Sequence, residues 1–247
     1  TAVNGGGASL DLSATAKSGT APTNSATGRS CTTGGAWKGP NAASGFPLGF
    51  ITNTLTNASG DFPRVNLKNN ATYAITAAMT HANAGPTAFQ GYTTTVNDGG
   101  RAIIDGGIVG ASYILLTLTQ NVDLIELIFQ NNGATGQEAG DNVSTGERRI
   151  LRCVFHDLRG EGLANTAGTN IVVECEAYNC NQANISTFGG FISSTAAQVY
   201  LRCISHDNSG SNSLGFYSNS STTYIDCIAD TNGAQGFYAI PASTSTM

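Results

Sequence analysis

The chain has 247 residues, of which 11% are charged and 40% are hydrophobic, and its formal net charge is −5. Its 11 lysines and arginines form no basic patch, so nucleic acid is excluded as an expected partner. Gly, Ser, Thr and Asn replace the missing charged residues, and they disfavour long helices while favouring short strands and turns. The composition therefore predicts an all-β protein.

Residues 1–60 differ in composition from the rest of the chain. They are rich in Gly, Ala, Ser and Thr, and they contain Trp37, the only tryptophan. We interpret them as an irregular N-terminal cap or attachment arm. The reason is that the uncovered end of a stack of strands exposes unpaired backbone groups and promotes aggregation.

Short apolar segments bounded by Gly, Asn or Asp follow this region, a pattern that is typical of strands. They lie at residues 72–75, 87–92, 101–104 and 113–118. We expect them to form the first turns of a coil. The run from Ala102 to Leu118 contains Asp105 and several glycines, so it predicts strands and not a membrane span.

One strand pattern returns five times further along the chain, four times around a cysteine and once around Leu127. The copies are Leu124–Asn131, Ile150–Asp157, Val172–Asn179, Tyr200–Asp207 and Tyr224–Thr231. Their alignment points are separated by 26, 22, 28 and 24 residues. A fixed strand with variable spacing is typical of a solenoid. We predict a right-handed parallel β-helix of about six turns over residues 61–240, with 241–247 as a C-terminal tail.

Alternation with period two predicts which side chains of each copy face the core. The predicted inward positions are the alignment point and the residues two before and two after it. They are Ile125, Leu127 and Phe129; Leu151, Cys153 and Phe155; Val173, Cys175 and Ala177; Leu201, Cys203 and Ser205; Ile225, Cys227 and Ala229. The four cysteines would form a buried apolar column, because equivalent positions on successive strands do not make a tetrahedral metal site. Cys31 and Cys180 lie outside this register, and the sequence allows a disulfide between them without determining it.

Two polar columns accompany the repeat. The residue before each alignment point alternates in sign: Glu126, Arg152, Glu174, Arg202 and Asp226. Opposite charges on neighbouring strands would contribute about 0.2–1 kcal/mol per pair. A turn residue stands four positions after each alignment point: Asn131, Asp157, Asn179, Asp207 and Thr231. Asn and Asp tolerate the left-handed turn conformation, so both columns favour structural roles.

With these features the sequence resembles the pectin-lyase-like superfamily of right-handed parallel β-helix repeat proteins. The resemblance rests on Phe89–Tyr92, Arg101–Gly107 and the five aligned copies, and it covers about Val65 to Ile240. The superfamily includes polysaccharide lyases and hydrolases, phage tailspikes and other virion proteins, and bacterial surface proteins. Fold alone does not choose among these functions. The short-looped, Gly- and Thr-rich style resembles the phage and surface proteins most.

The resemblance implies that a lyase would place a Lys or Arg base beside a Ca²⁺ ion held by carboxylates. The lysines, Lys17, Lys38 and Lys68, all precede the aligned turns, and Arg148, Arg149 and Arg159 have no matching carboxylate cluster. We therefore expect no metal and no cofactor, with Ca²⁺ only if the protein is a lyase.

A hydrolase of this fold would cluster carboxylates on adjacent turns. Asp157 and Asp207 are instead two turns apart, about 9–10 Å by strand spacing, near the upper end for an inverting enzyme. We expect no catalytic residue; if the protein is an enzyme, the candidates are Asp157, Asp207, His156 and His206.

Two outward columns remain. His156, Tyr178 and His206 should line one stripe that could stack on sugar rings, the alternative being a solvated, stacked face. The second column is mostly apolar: Ile128, Val154, Glu176, Ile204 and Ile228. Outward apolar residues in a row indicate a cover, which could be the arm, a loop or another subunit.

We therefore predict a non-enzymatic structural or adhesive protein of a phage virion (tailspike, fibre or capsid decoration) or of a bacterial surface. It would attach to other virion or cell-surface proteins through the N-terminal arm and contact glycans. The alternative is a polysaccharide lyase or glycoside hydrolase acting along the β-helix groove. The sequence leaves the oligomeric state open; tailspikes of this fold are often trimers, and a homo-oligomer is expected only by that analogy.

Overall fold

A computed structural model describes the chain in segments. These are residues 9–13, 37–38, 64–69, 72–74, 79–81, 87–95, 97–107, 116–118, 122–132, 140–142, 147–185, 188–194, 197–240 and 245–246. Within these segments every strand pairing is parallel, and none of the segments forms a helix. No helix able to cross a membrane occurs in this part of the chain.

The strands are short and follow one another in a fixed rotation. The first twelve are β1 Ser9–Ser13, β2 Trp37–Lys38, β3 Arg64–Lys68, β4 Tyr73–Ala74, β5 Met79–His81, β6 Thr87–Tyr92, β7 Ala102–Asp105, β8 Leu116–Leu118, β9 Val122–Ile125, β10 Leu127–Gln130, β11 Gly140–Asn142 and β12 Glu147–Leu151. The second twelve are β13 Val154–His156, β14 Leu163–Asn165, β15 Thr169–Val173, β16 Glu176–Tyr178, β17 Gly189–Ser193, β18 Gln198–Leu201, β19 Ile204–His206, β20 Leu214–Ser218, β21 Thr222–Ile225, β22 Ile228–Asp230, β23 Gln235–Ala239 and β24 Ser245–Thr246.

Three parallel sheets run along the solenoid, and from β3 onward each turn adds one strand to each of them. Sheet A has ten strands in the order β2-β1-β3-β6-β9-β12-β15-β18-β21-β24. Sheet B runs β22-β19-β16-β13-β10-β7-β4, and sheet C runs β23-β20-β17-β14-β11-β8-β5. The predicted parallel β-helix is confirmed. Against the six turns predicted, sheets B and C each have seven strands in the described residues.

Two strands of the predicted N-terminal arm pair with the solenoid. β1 pairs with β3 and with β2, so these segments extend sheet A at its N-terminal end. At the other end, β24 of the predicted tail pairs with β21. The remaining residues of 1–60 and 241–247 lie outside the described part of the chain, as does Cys31. The domain boundaries stay predictions.

The inward positions on sheet A differ from the prediction. The charged residue before each alignment point has a positive φ, between 51° and 56°, and it lies at the corner between sheets A and B. Because this residue lies outside both strands, the alternation does not continue across it. The side chain three positions before each alignment point is therefore the buried one: Leu124, Ile150, Val172, Tyr200 and Tyr224.

The residues predicted inward at two before each alignment point lie instead on the outer side of sheet A. Ile125, Leu151, Val173 and Leu201 are half-buried there, and Ile225 is 43% exposed. The predicted core positions on sheet B are confirmed up to the last turn. Leu127, Phe129, Phe155 and Ala177 are fully buried.

The predicted cysteine column is present. Cys153, Cys175 and Cys203 are buried, Cys227 is half-buried, and all four are free thiols. The backbone N–H of Cys153 donates to the Cys175 Sγ at 3.3 Å, which ties neighbouring turns together. Burial raises the pKa of the Cys175 thiol. Cys180 is also a buried free thiol. Its Sγ donates hydrogen bonds to the carbonyl oxygens of Phe155 and Tyr178.

The charge column forms ion pairs between neighbouring turns. Arg152 Nη2 lies 2.8 Å from Glu126 Oε1, and Arg202 Nη2 lies 2.6 Å from Glu174 Oε1. The predicted ladder is confirmed for these two pairs. The exposed Arg202–Glu174 pair contributes little to the free energy of folding. The Glu126 carboxylate is buried, so losing Arg152 would leave its charge uncompensated and destabilise the fold.

Sheet C completes the core with aromatic side chains. Phe191 stacks on Phe216 with ring centroids 5.2 Å apart, and Phe216 stacks on Phe237 at 4.8 Å. Gly190 precedes Phe191 because no side chain fits there. A Cβ on Gly190 would overlap the Ser205 Oγ and lie 2.9 Å from the Ala177 Cβ.

Candidate functional site

The outer face of sheet B carries two columns of side chains. The strand register places one residue per turn in each. The first column is Ile103, Ile128, Val154, Glu176, Ile204 and Ile228. The second is Asp105, Gln130, His156, Tyr178, His206 and Asp230. The chain then turns towards sheet C at Asn131, Asp157, Asn179, Asp207 and Thr231, which we call the turn column. All five have φ between 49° and 57°, as predicted for left-handed turns.

The predicted aromatic stripe is a stack of rings. His156 and Tyr178 lie 4.8 Å apart with planes 3° from parallel, and Tyr178 and His206 lie 5.2 Å apart at 15°. Both faces of the Tyr178 ring are therefore covered by histidines. A sugar can stack only on the outer faces of His156 or His206, and it meets the ring edges elsewhere. Glycan binding by these three residues stays a prediction.

His206 is held by two carboxylates. Its Nε2 lies 3.0 Å from Glu176 Oε1, and its Nδ1 lies 2.8 Å from Asp207 Oδ2. Partial burial lowers the pKa of His206, but the hydrogen bonds to Glu176 and Asp207 outweigh it and raise the pKa above its ordinary value. In the protonated ring both nitrogens donate to these carboxylates, so neither is directed at a substrate proton.

His156 has a different environment on its second nitrogen. Its Nδ1 lies 2.7 Å from Asp157 Oδ2, as in the His206–Asp207 doublet. The place of Glu176 is taken on the preceding turn by Ile128, which cannot accept a hydrogen bond. Asp157 accepts the Nδ1 proton in the neutral ring and leaves the Nε2 lone pair free of any described carboxylate. Of the two doublets, only His156–Asp157 leaves the imidazole Nε2 without a carboxylate partner among the described residues.

Asp157 uses both of its oxygens. Oδ2 contacts His156, and Oδ1 accepts a 2.6 Å hydrogen bond from Asn179 Nδ2. Partial burial raises the pKa of Asp157, but the hydrogen bonds from Asn179 and His156 outweigh it and leave the pKa below its ordinary value. The carboxylate therefore stays ionised near neutral pH and is a poor proton donor. Asp207, two turns away, is engaged by His206.

A cleft of about 440 Å³ opens beside Asp157, beyond the C-terminal ends of the sheet B strands β10, β13 and β16. Its lining residues are Asn131, Asn132, Asp157, Arg159 and Gln182. They supply one carboxylate, one guanidinium and three amides, and the volume lies within the range of small-molecule sites. The sequence pointed to Asn131, Asp157 and Arg159 separately. It gave no signal for Asn132 and Gln182, because they belong to loops of different length that only stacking brings together.

No group of three or more His, Cys, Asp and Glu side chains in the described part of the chain is placed to hold a metal ion. Searches of protein-family models and of curated proteins found no match.

Solved structures do resemble the chain. A rhamnogalacturonan lyase is 16% identical with a TM-score of 0.52, over 74% of this chain and 54% of the lyase. The pectin methylesterase from Aspergillus niger in deglycosylated form is 10% identical with a TM-score of 0.43, over 74% of this chain and 76% of the esterase. The chain thus spans about half the length of the lyase. It has the pectin-lyase-like parallel β-helix fold, and at these identities the likeness concerns the fold alone.

Proposed function

We propose that the protein is a structural or adhesive β-helix that binds a polysaccharide at the cleft beside Asp157 without cleaving it. The observation that carries this proposal is the lining of the cleft, where a carboxylate, a guanidinium and three amides meet. Sugar hydroxyls both donate and accept hydrogen bonds, and such a lining offers both kinds of partner.

The rigidity of the site supports binding. Asp157 is held by Asn179 and His156, so its acceptor oxygens are oriented before a ligand arrives. A preorganised site loses little conformational entropy on binding. The state of Asp157 also fits recognition better than acid catalysis, since its lowered pKa leaves the carboxylate without a proton to donate.

The proposed setting is a phage virion or a bacterial surface. A stack of parallel sheets suits an extended, rigid rod, and the low content of charged residues and net charge of −5 are compatible with an exposed surface protein. The N-terminal region would join it to other surface or virion proteins. Detection of the protein in purified particles or in a cell-surface fraction would support this part of the proposal, and recovery only from the cytoplasm would contradict it.

Binding can be tested with a panel of oligosaccharides and isothermal titration. Arg159→Ala and Gln182→Ala should weaken the binding of a glycan ligand, the first by about tenfold or more. Arg149→Ala is the matched control, because Arg149 is also exposed but pairs with Asp123 on sheet A. Binding that is insensitive to Arg159→Ala, or no binding across the panel, would contradict the proposal.

A second candidate is a polysaccharide lyase or glycoside hydrolase. It is favoured by the free Nε2 side of His156 together with Arg159 in the adjoining cleft. An oriented imidazole can remove a proton, and a guanidinium can stabilise the negative charge that develops. The likeness to a protein named rhamnogalacturonan lyase is compatible with this reading and supports only the fold.

Product analysis of oligosaccharides, with and without Ca²⁺, separates the two candidates. Cleavage that falls far more in His156→Gln than in His206→Gln would support the enzyme, because only the His156 Nε2 has no described carboxylate partner. Unchanged oligosaccharide profiles across the panel would favour binding alone.

A further inference from the structure

An apolar surface surrounds the corner between sheets A and B on the last two turns. Three of the five large hydrophobic residues that are exposed in the described chain lie here: Ile204 at 37%, Ile225 at 43% and Ile228 at 54%. Ile204 and Ile228 are register neighbours on sheet B, and Ile225 pairs with the half-buried Leu201 on sheet A. We call these four residues the corner patch. Exposed apolar side chains grouped on neighbouring strands in this way favour contact with another surface.

The same columns are better covered on earlier turns. Val154 is only 5% exposed and Ile128 is half-buried, although both belong to the column that ends at Ile228. The chain therefore already covers part of this column, which corrects the prediction of a uniformly outward row. Exposure is concentrated towards the C-terminal turns, so that is where a partner would bury most apolar area.

The charges of the corner lie between the two halves of the patch. The register adds Arg101 before Glu126, because Ala102 pairs with Leu127. The column then reads Arg101, Glu126, Arg152, Glu174, Arg202 and Asp226, with the sign alternating at every turn. Arg202 and Glu174 are paired but remain 55% and 40% exposed. Asp226 is exposed, and it has no ion-pair partner among the described residues.

A column of alternating sign discriminates between orientations of a second copy. Two parallel copies in register would place like charges at the same height, which costs free energy. Two antiparallel copies, with the twofold axis midway between the turns of Glu174 and Arg202, place the four charges from Arg152 to Asp226 opposite their complements. Glu174 then faces Arg202 of the second copy, and Arg152 faces the unpaired Asp226.

The apolar residues follow the same symmetry. The twofold axis brings sheet A to sheet A and sheet B to sheet B. Ile225 then meets Leu151 of the second copy, Ile228 meets the 5% exposed Val154, and Ile204 meets Glu176. A twofold contact uses the same surface on both copies, as self-complementary patches require.

We propose that the corner between sheets A and B is the interface of an antiparallel homodimer. Ile225 and Ile228 bury apolar surface there, and the alternating charge column fixes the register. The inference is independent of the proposed glycan binding, because the cleft beside Asp157 lies at the opposite edge of sheet B.

The test measures the mass of the full chain by sedimentation equilibrium over a wide range of concentrations. The wild-type chain should approach the mass of a dimer. Ile225→Asp and Ile228→Asp should be monomers with little change in their unfolding midpoint, since both side chains are exposed within one copy. Ile171→Asp is the matched control, because Ile171 is 44% exposed on sheet A away from the corner.

A charge exchange tests the orientation. Arg202→Glu should weaken the dimer, and the double variant Glu174→Arg/Arg202→Glu should restore it, because the exchange re-forms the pairs both within and between copies. A wild-type monomer at every concentration would overturn the proposal and leave residues 1–60 or another protein as the cover. A dimer that survives both isoleucine variants would overturn it as well.

Discussion

Asn179 Nδ2 donates a 2.6 Å hydrogen bond to Oδ1 of Asp157, one turn away along the solenoid. His156 contacts the other carboxylate oxygen, Oδ2. Because both oxygens are held, Asp157 is fixed at the rim of the cleft. Both residues belong to the turn column, with φ of 49° and 54°. One backbone turn, repeated along the axis, thus also orients the acceptor of the candidate site.

Replacing Asn179 separates the hydrogen bond from the backbone conformation. Asn179→Gly loses the amide but accepts positive φ, and we expect it to lower the free energy of unfolding by about 1–2 kcal/mol. Asn179→Ala also strains the backbone and should cost about 1 kcal/mol more. Urea titration measures both. Equal losses would show that φ contributes nothing at this position.

The stability conferred by His206 should decrease as pH rises. Its pKa is raised above the ordinary histidine value of 6.5, so the ion pairs with Glu176 and Asp207 stabilise the fold fully below pH 6.5. This stability is lost as pH rises through the folded-state pKa. The difference in unfolding free energy between the wild-type chain and His206→Gln should therefore shrink on the alkaline side. A pH-independent difference would contradict the assignment.

Gly190→Ala should overpack the contact between sheets B and C. The new Cβ would overlap the Ser205 Oγ and press on Ala177, so we expect a loss of roughly 1–3 kcal/mol in unfolding free energy. Ser205→Ala removes the overlapping oxygen, and the double variant should recover part of the loss. Additive losses in this double-mutant cycle would show that the two sites do not touch.

The aromatic column of sheet C should contribute less at its C-terminal end. Phe191 is fully buried between neighbouring turns, so Phe191→Ala should cost about 3–5 kcal/mol. Phe237 is only half-buried on the last complete turn, and Phe237→Ala should cost clearly less. Hydrogen exchange should likewise show β23 opening before β17. Equal losses of unfolding free energy in the two variants would mean that Phe237 is covered in solution, for example by another molecule packed on the last turn.

Much of the fold could be predicted from the sequence, because each copy of the repeat carries the same type of side chain at the same position. The cysteine column, the alternating charges and the left-handed turn residues follow from one aligned strand. The inward positions on sheet A could not, since a corner residue such as Arg152 is compatible with a continuous strand until its φ is known. The predicted alternation placed Ile225 in the core, whereas the structure places it on the surface. The sequence therefore gave no indication that Ile225 belongs to the corner patch.

The candidate site was predicted only in pieces. The sequence showed His156 and His206 as equivalent doublets with Asp157 and Asp207. Their difference depends on the preceding turn, which supplies Ile128 beside one imidazole and Glu176 beside the other.

By itself, the sequence determined the parallel solenoid and the chemistry of its columns, because strand period and residue type repeat locally along the chain. Only the tertiary structure decided which faces are outward, which histidine has a carboxylate on each ring nitrogen and which loops line the cleft. These properties depend on contacts between turns more than 20 residues apart, and loops of unequal length bring those turns into register.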